Sequence, residues 1–145
     1  GLRADVFNLP ATRELVEATA QRCGLQDRMG FVSGDFLRGS FPRGYDTLAF
    51  VRVLHDWPAE TALDLLANAR DALEPGALLL ICEEFRTPER LAAQFFWTYF
   101  LQGVDNCVSR LRETAFYTDA LAQAGFERIA VLAGPFELIA ARKAR

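Results

Sequence analysis

The 145-residue chain has one histidine, His55, and three cysteines, Cys23, Cys82 and Cys107, none of them in a CxxC pair. So few metal-ligating side chains at such wide spacing offer no convincing zinc site. An odd, scattered set of cysteines also reads as reduced thiols in a cytoplasmic protein rather than as a disulfide framework. No apolar run nears the roughly 20 residues that a bilayer-spanning helix requires, so no membrane partner is expected. The opening "GLRADVFNLP" lacks the apolar core and cleavage site of a signal peptide. Lys and Arg number 16 against 19 Asp and Glu, a net charge of −3 with the two signs interspersed. With no basic stripe, a nucleic-acid partner is not expected. No GxGxxG follows any strand candidate, which disfavours a nicotinamide dehydrogenase.

What is present is the balance of a folded globular domain: 51% hydrophobic and 24% charged residues, in a chain long enough for one sizeable core. Short apolar runs alternate with helical periodicity. Residues 4–7 form a strand candidate ended by Asn8 and Pro10. Thr12, Val16, Ala20 and Cys23 recur at helical spacing over 11–24, where Gly24 stops the helix. "MGFVSGDF" (29–36) reads as a second strand with a Gly-Asp turn, followed by a Gly- and Pro-rich loop over 37–45. An almost unbroken apolar strand spans 47–54, of the kind buried on both faces of a parallel sheet. Pro58 opens a helix to about Leu73, closed by Glu74-Pro75-Gly76. "ALLLIC" (77–82) is another buried strand, with Glu83 and Glu84 directly after it. Residues 89–102 form an aromatic-rich helix candidate and 114–124 another, stopped by Gly125. Strands 128–133 and 136–143 flank Gly134-Pro135 as an antiparallel hairpin. The alternation predicts an α/β sheet, mostly parallel, with an antiparallel edge.

Open parallel sheets bind ligands beyond the carboxyl ends of their strands. Asn8 follows the first strand, Asp35 and Phe36 the second, His55, Asp56 and Trp57 the third, Glu83 and Glu84 the fourth. These residues form one polar cluster on one rim, with the lone histidine at its centre.

The stretches "GLRADVFNLP", "GLQDRMGFVSGDF", "YDTLAFVRVLHDWPAETALDLLANARDALEPGALLLICEE" and "ALAQAGF" resemble the C-terminal part of the S-adenosylmethionine-dependent O-methyltransferases of the caffeate and acetylserotonin type. Bacterial relatives acting on carotenoid alcohols and polyketide quinones are similar too. The most specific motif is "LHDW" after a buried strand, then a helix and "EPGALLLICE". The resemblance implies a Rossmann-like class I methyltransferase sheet and S-adenosylmethionine as cofactor. It also implies a small hydroxylated substrate, apolar and aromatic or polyene, and a cytoplasmic homodimer of secondary metabolism. His55 matches the family's general base and Glu83 the glutamate that orients it. Asp35 and Phe36 match the pair at the adenine, and Asn8 stands where the family has the aspartate that holds the ribose. The corresponding aromatic helix lines the substrate pocket, which points to Trp97 and Tyr99. Residues 1–145 correspond to a partial catalytic domain: the family's first strand, its "DxGGGxG" loop and its N-terminal dimerisation domain have no counterpart here. By themselves these residues are expected to bind the cofactor weakly and to catalyse nothing.

The chemistry suits those residues. A phenol, with a pKa near 10, is protonated at neutral pH, and a histidine near 6.5 can accept its proton during attack. Other readings stay open beside these. Asp56 fits a helix N-cap ahead of Pro58, and Trp57 fits packing. Either Glu83 or Glu84 could orient His55. Asn8 and Asp35 are also ordinary turn residues, and part of "FFWTYF" (95–100) fits the core. The family's second orienting glutamate falls near Leu111, with Glu113 two residues off. The competing reading is a non-catalytic remnant, or a relative that binds the cofactor without transferring methyl.

Overall fold

The computed structural model describes residues 1–90, 92, 94–96, 99, 110–133 and 137–145. They divide into two compact units, Gly1–Pro42 and Arg43–Arg145.

In the first unit, β1 (Ala4–Asn8) leads through a 3₁₀ turn at Pro10–Thr12 into α1 (Arg13–Arg22), and the chain returns as β2 (Met29–Ser33). Pro10 suits the start of a helical turn because its missing N–H would lack a helical acceptor there. Gly24 ends α1 with φ of 66°, the left-handed conformation that glycine adopts without a Cβ clash. β1 and β2 pair in parallel from Ala4↔Met29 to Asn8↔Ser33. Phe7 meets the buried Phe41 edge-on, with ring centroids 5.6 Å apart. Gly34 follows β2 and donates to Asn8 O at 2.9 Å. A Cβ at Gly34 would collide with the Phe7 ring, so the aromatic packing itself demands glycine there.

The second unit contains β3 (Thr47–Val51), a 3₁₀ turn at Leu54–Asp56, α2 (Ala59–Ala72), β4 (Leu78–Cys82), a 3₁₀ turn at Pro88–Arg90, α3 (Thr114–Gln123), β5 (Phe126–Leu132) and β6 (Leu138–Lys143). Its sheet order is β3-β4-β6-β5. β3 and β4 are parallel, while β6 runs antiparallel to both of its neighbours. The antiparallel strand therefore lies inside the sheet, with β5 at the edge. Among the described residues β1 pairs only with β2, and β3 pairs only with β4.

The core of this unit is apolar and dense. Leu65, Leu66 and Ala69 of α2, Leu79 and Ile81 of β4, Leu121 of α3 and Ile139 of β6 are almost fully buried. Burying a leucine or isoleucine side chain stabilises a fold by roughly 1.5–3 kcal/mol, so these residues hold the sheet and helices together. Lys143 Nζ donates to Leu73 O at 2.6 Å, placing a cation on a carbonyl at the end of α2.

Two strands are shorter than their apolar runs predict. β2 ends at Ser33 rather than Phe36, because Asp35 O accepts from Arg38 N and Gly39 N and bends the chain into a turn. β3 ends at Val51 rather than Leu54. Arg52 takes φ of 54°, and the chain leaves the sheet although Val53 and Leu54 are apolar. Residues 134–136 of the turn between β5 and β6 lie outside the described residues, as does half of the 89–102 helix candidate. In that segment Phe95, Phe96 and Tyr99 are exposed while Gln94 is buried, so these three aromatics are not the part of the run that fits the core; Trp97 and Phe100 lie outside the described residues. Gln94 is buried because its side chain accepts from Thr87 N at 3.0 Å and donates to Phe85 O at 2.6 Å.

Candidate active site

The register of β3 against β4 pairs Val51 with Cys82, so the residues just past both strands meet. Arg52 N donates to Cys82 O at 2.9 Å, closing the ladder, and its left-handed backbone then turns the next amides toward Glu83. Val53 N and Leu54 N both donate to Glu83 Oε1, at 2.9 and 2.8 Å. The other carboxylate oxygen, Oε2, pairs with His55 Nδ1. Glu83 is 4% exposed and His55 5%. A buried carboxylate needs such partners, since an uncompensated charge in an apolar interior costs several kcal/mol.

The rest of the turn is pinned from a distant segment. His55 O accepts from Arg110 N at 2.7 Å. Arg112 donates to Leu54 O at 3.0 Å and to Trp57 O at 2.6 Å, with its guanidinium 5.0 Å from the Phe116 ring centre. Sequence reading searched this segment for a second glutamate and missed its arginine. The only local signal was the pair of arginines, Arg110 and Arg112, flanking an apolar residue just ahead of α3. Leu111 is buried, and the Glu113 carboxylate goes to Arg86 at 2.6 Å. The second carboxylate at the histidine is instead Asp56, whose Oδ1 lies 3.1 Å from His55 Nε2. The helix-cap reading of Asp56 is corrected accordingly. Pro58 holds the cap position of α2, and no side-chain hydrogen bond caps that helix. Glu84 does not hold the histidine: its carboxylate meets Arg90 at 2.8 Å.

Three electrostatic effects compete at His55. Burial is the largest and pulls its pKa down. The Glu83 hydrogen bond and the charges of Glu83 and Asp56 together outweigh burial and a smaller opposition from Arg52, so the pKa lies above the usual 6.5. Nearby, burial first and the Glu83 charge second raise the Cys82 thiol. Burial likewise raises the Tyr117 phenol to about 12, which keeps it a neutral packing group.

The first unit gathers the other candidates at the carboxyl ends of its two parallel strands. Asn8 Oδ1 accepts from Leu9 N at 2.7 Å. Asp35 Oδ1 accepts from Leu37 N at 3.0 Å, and its Oδ2 lies 3.6 Å from Arg38 Nε. Phe36 beside it is half-buried. Tyr99 is 71% exposed, and Trp97 lies outside the described residues. Among the described residues no His, Cys, Asp and Glu cluster could hold a metal ion, and no helix is long and apolar enough to cross a membrane.

Helices alternating with parallel strands, and a C-terminal strand that joins the sheet antiparallel, are the architecture of a Rossmann-like class I methyltransferase. The family model for the O-methyltransferase domain matches residues 1–127, and the chain belongs to that family. It is 32% identical to acetylserotonin O-methyltransferase of Mus musculus over 133 residues, covering 89% of this chain and 34% of that protein. It is 33% identical to 3-amino-4-hydroxybenzoate 4-O-methyltransferase of Streptomyces cremeus over 140 residues, covering 93% of this chain and 37% of that protein. The structure of the S-adenosylmethionine-dependent methyltransferase SibL in its apo form superposes with a TM-score of 0.88 at 28% identity, covering 99% of this chain and 44% of that one. The chain thus spans about a third of the length of these curated relatives.

Proposed function

We propose that the protein carrying this chain transfers the methyl group of S-adenosylmethionine to a hydroxyl oxygen of a small apolar metabolite, aromatic or polyene, with His55 as general base. The observation that carries this reading is the tie between His55 Nδ1 and buried Glu83, itself held by two backbone amides. With its proton committed to Glu83 on the Nδ1 side, a neutral His55 has its lone pair on Nε2, the nitrogen that can accept a hydroxyl proton.

The first unit's rim suits the adenosine part of the cofactor. Adenine and ribose present N–H and O–H donors, and the strand ends offer an amide oxygen at Asn8 and a carboxylate at Asp35. Asp35 is about a third exposed, and each acceptor oxygen retains a lone pair beyond its local bond. Phe36 supplies an apolar face for the base. When bound, S-adenosylmethionine would supply a methyl group on a sulfonium, which a hydroxyl oxygen can take while the sulfur leaves as a neutral thioether. His55 Nε2 takes the hydroxyl proton as the oxygen attacks, and Asp56, about half exposed, must release Nε2 to admit that hydroxyl. Glu83 stays in place and balances the imidazolium that forms. Arg110 N and Arg112 keep the turn from drifting, because misplacing a base by even an ångström is costly.

Trp97 and Tyr99 complete the reading as walls of the substrate pocket, supported by the aromatic run of residues 95–100. A cytoplasmic homodimer of secondary metabolism also belongs to it. The free thiols of Cys23 and Cys82 support the compartment, and the family resemblance supports the assembly.

His55→Ala in the full-length protein tests the proposal. Methyl transfer should fall by about 10²–10⁴, the usual loss for a positioned base, with cofactor affinity little changed. Turnover within a few-fold of the parent would remove His55 from this role.

A further inference from the structure

A cavity of about 580 Å³ opens in the second unit, lined by residues at the starts of α2 and α3. Three of its lining residues are arginines, Arg86, Arg110 and Arg112, against a single carboxylate, Glu113. Two positive charges are therefore in excess around one space. Arg112 is anchored by Leu54 O and Trp57 O, and Arg86 by Glu113, so both guanidinium groups are held in place with donors to spare. Arg110 is exposed, and its guanidinium joins no ion pair among the described residues. Both helices also begin here without a side-chain cap, at Pro58 and at Glu113. The first amides of a helix have no acceptor within it, and the helix dipole is positive at that end.

We propose that this cavity is a binding site for the phosphate group of a small metabolite. Glu113 offsets one of the three guanidinium charges through Arg86. The remaining excess favours an anion, and the planar forks match phosphate oxygens in paired hydrogen bonds. A carboxylate offers two acceptor oxygens and one charge. A phosphate monoester offers three terminal oxygens and up to two charges, which matches the charge excess of a cavity whose arginines come from separate chain segments. Phe116 and the buried Leu111 add an apolar wall for the rest of the ligand. The segment carrying Arg110 and Arg112 also holds the carbonyl groups of the His55 turn, so a phosphate bound here would rest on the element that fixes that turn.

The test is a calorimetric titration of the full-length protein with inorganic phosphate, without S-adenosylmethionine or acceptor, at constant ionic strength made up with chloride. Binding should saturate, and Arg110→Glu should weaken it at least tenfold while leaving the unfolding midpoint in phosphate-free buffer unchanged. The Arg110 contact to His55 O is made by the backbone and survives the substitution. No saturable response in the parent, or the same response in Arg110→Glu, would overturn the site. Acetate binding as tightly as phosphate would overturn the ligand class. The readout is binding alone, so it stands apart from any result on methyl transfer.

Discussion

The rims of the two units carry the same kinds of side chain but hold them in opposite ways. In the first unit, Asn8 bonds to its immediate neighbour and Asp35 to residues two and three positions on. In the second, His55 and Glu83 are 28 positions apart, and Arg112 reaches back 58 to Leu54. The first arrangement is a pair of solvated turns whose acceptors retain free lone pairs. The second is buried and fully partnered before any substrate arrives. A ligand-holding group gains from open acceptor capacity, whereas a proton-transferring group gains from fixed orientation and a tuned pKa.

The sharpest way to break this contrast is Glu83→Ala. It leaves two buried amides and the histidine without their acceptor, which should cost about 3–5 kcal/mol of stability, as for other broken buried pairs. Thermal unfolding reads that loss directly. Glu83→Gln keeps one oxygen for the amides and should cost clearly less stability, yet still lose most methyl transfer because the charge opposite His55 is gone. Equal unfolding midpoints for the two variants would mean that Glu83 is a charge partner only, and not the clamp of the turn.

Next in size is the effect of pH. Because the folded state raises the pKa of His55, its contribution to stability is fully present below the unfolded value of 6.5. That contribution is lost as pH rises through the folded value. The proposed base works only when neutral, so methyl transfer should rise over the same interval in which this part of the stability declines. Asp56→Asn removes one of the charges that raise the pKa and should move the acid limb of the rate profile to lower pH. A limb that stays where it was would show that the Asp56 contact does not tune the histidine.

The smallest expected effect belongs to the solvated rim. Asn8→Asp adds charge to an acceptor facing solvent, and cofactor affinity should tighten by about 1 kcal/mol, or roughly fivefold, the surplus of a charged over a neutral hydrogen bond. Stability should scarcely change. Unchanged or weaker binding by calorimetry would detach Asn8 from the cofactor.

Sequence alone determined the elements that depend on near neighbours. The apolar spacing of α1, α2 and α3, the glycines that end α1 and α3, and the apolar strands with polar residues behind them are all local patterns, and each appears in the fold within a few residues. Asn8 and Asp35 past the strands of the first unit, and His55 and Glu83 past those of the second, followed from the same reasoning, because polar groups past parallel strands collect at the strand ends of their own sheet. Tertiary structure decided what those groups do. Val53 and Leu54 read as strand, yet Glu83, some thirty residues away, captures their amides and draws the chain out of the sheet. Asp56 sits where a cap is common but turns to His55, a neighbour already held by a distant glutamate. Arg112 reads as an ordinary surface cation until the fold brings two carbonyl groups to it. Local spacing is written in the chain, but a buried charge settles on whichever partners the packed sheet brings within hydrogen-bond reach.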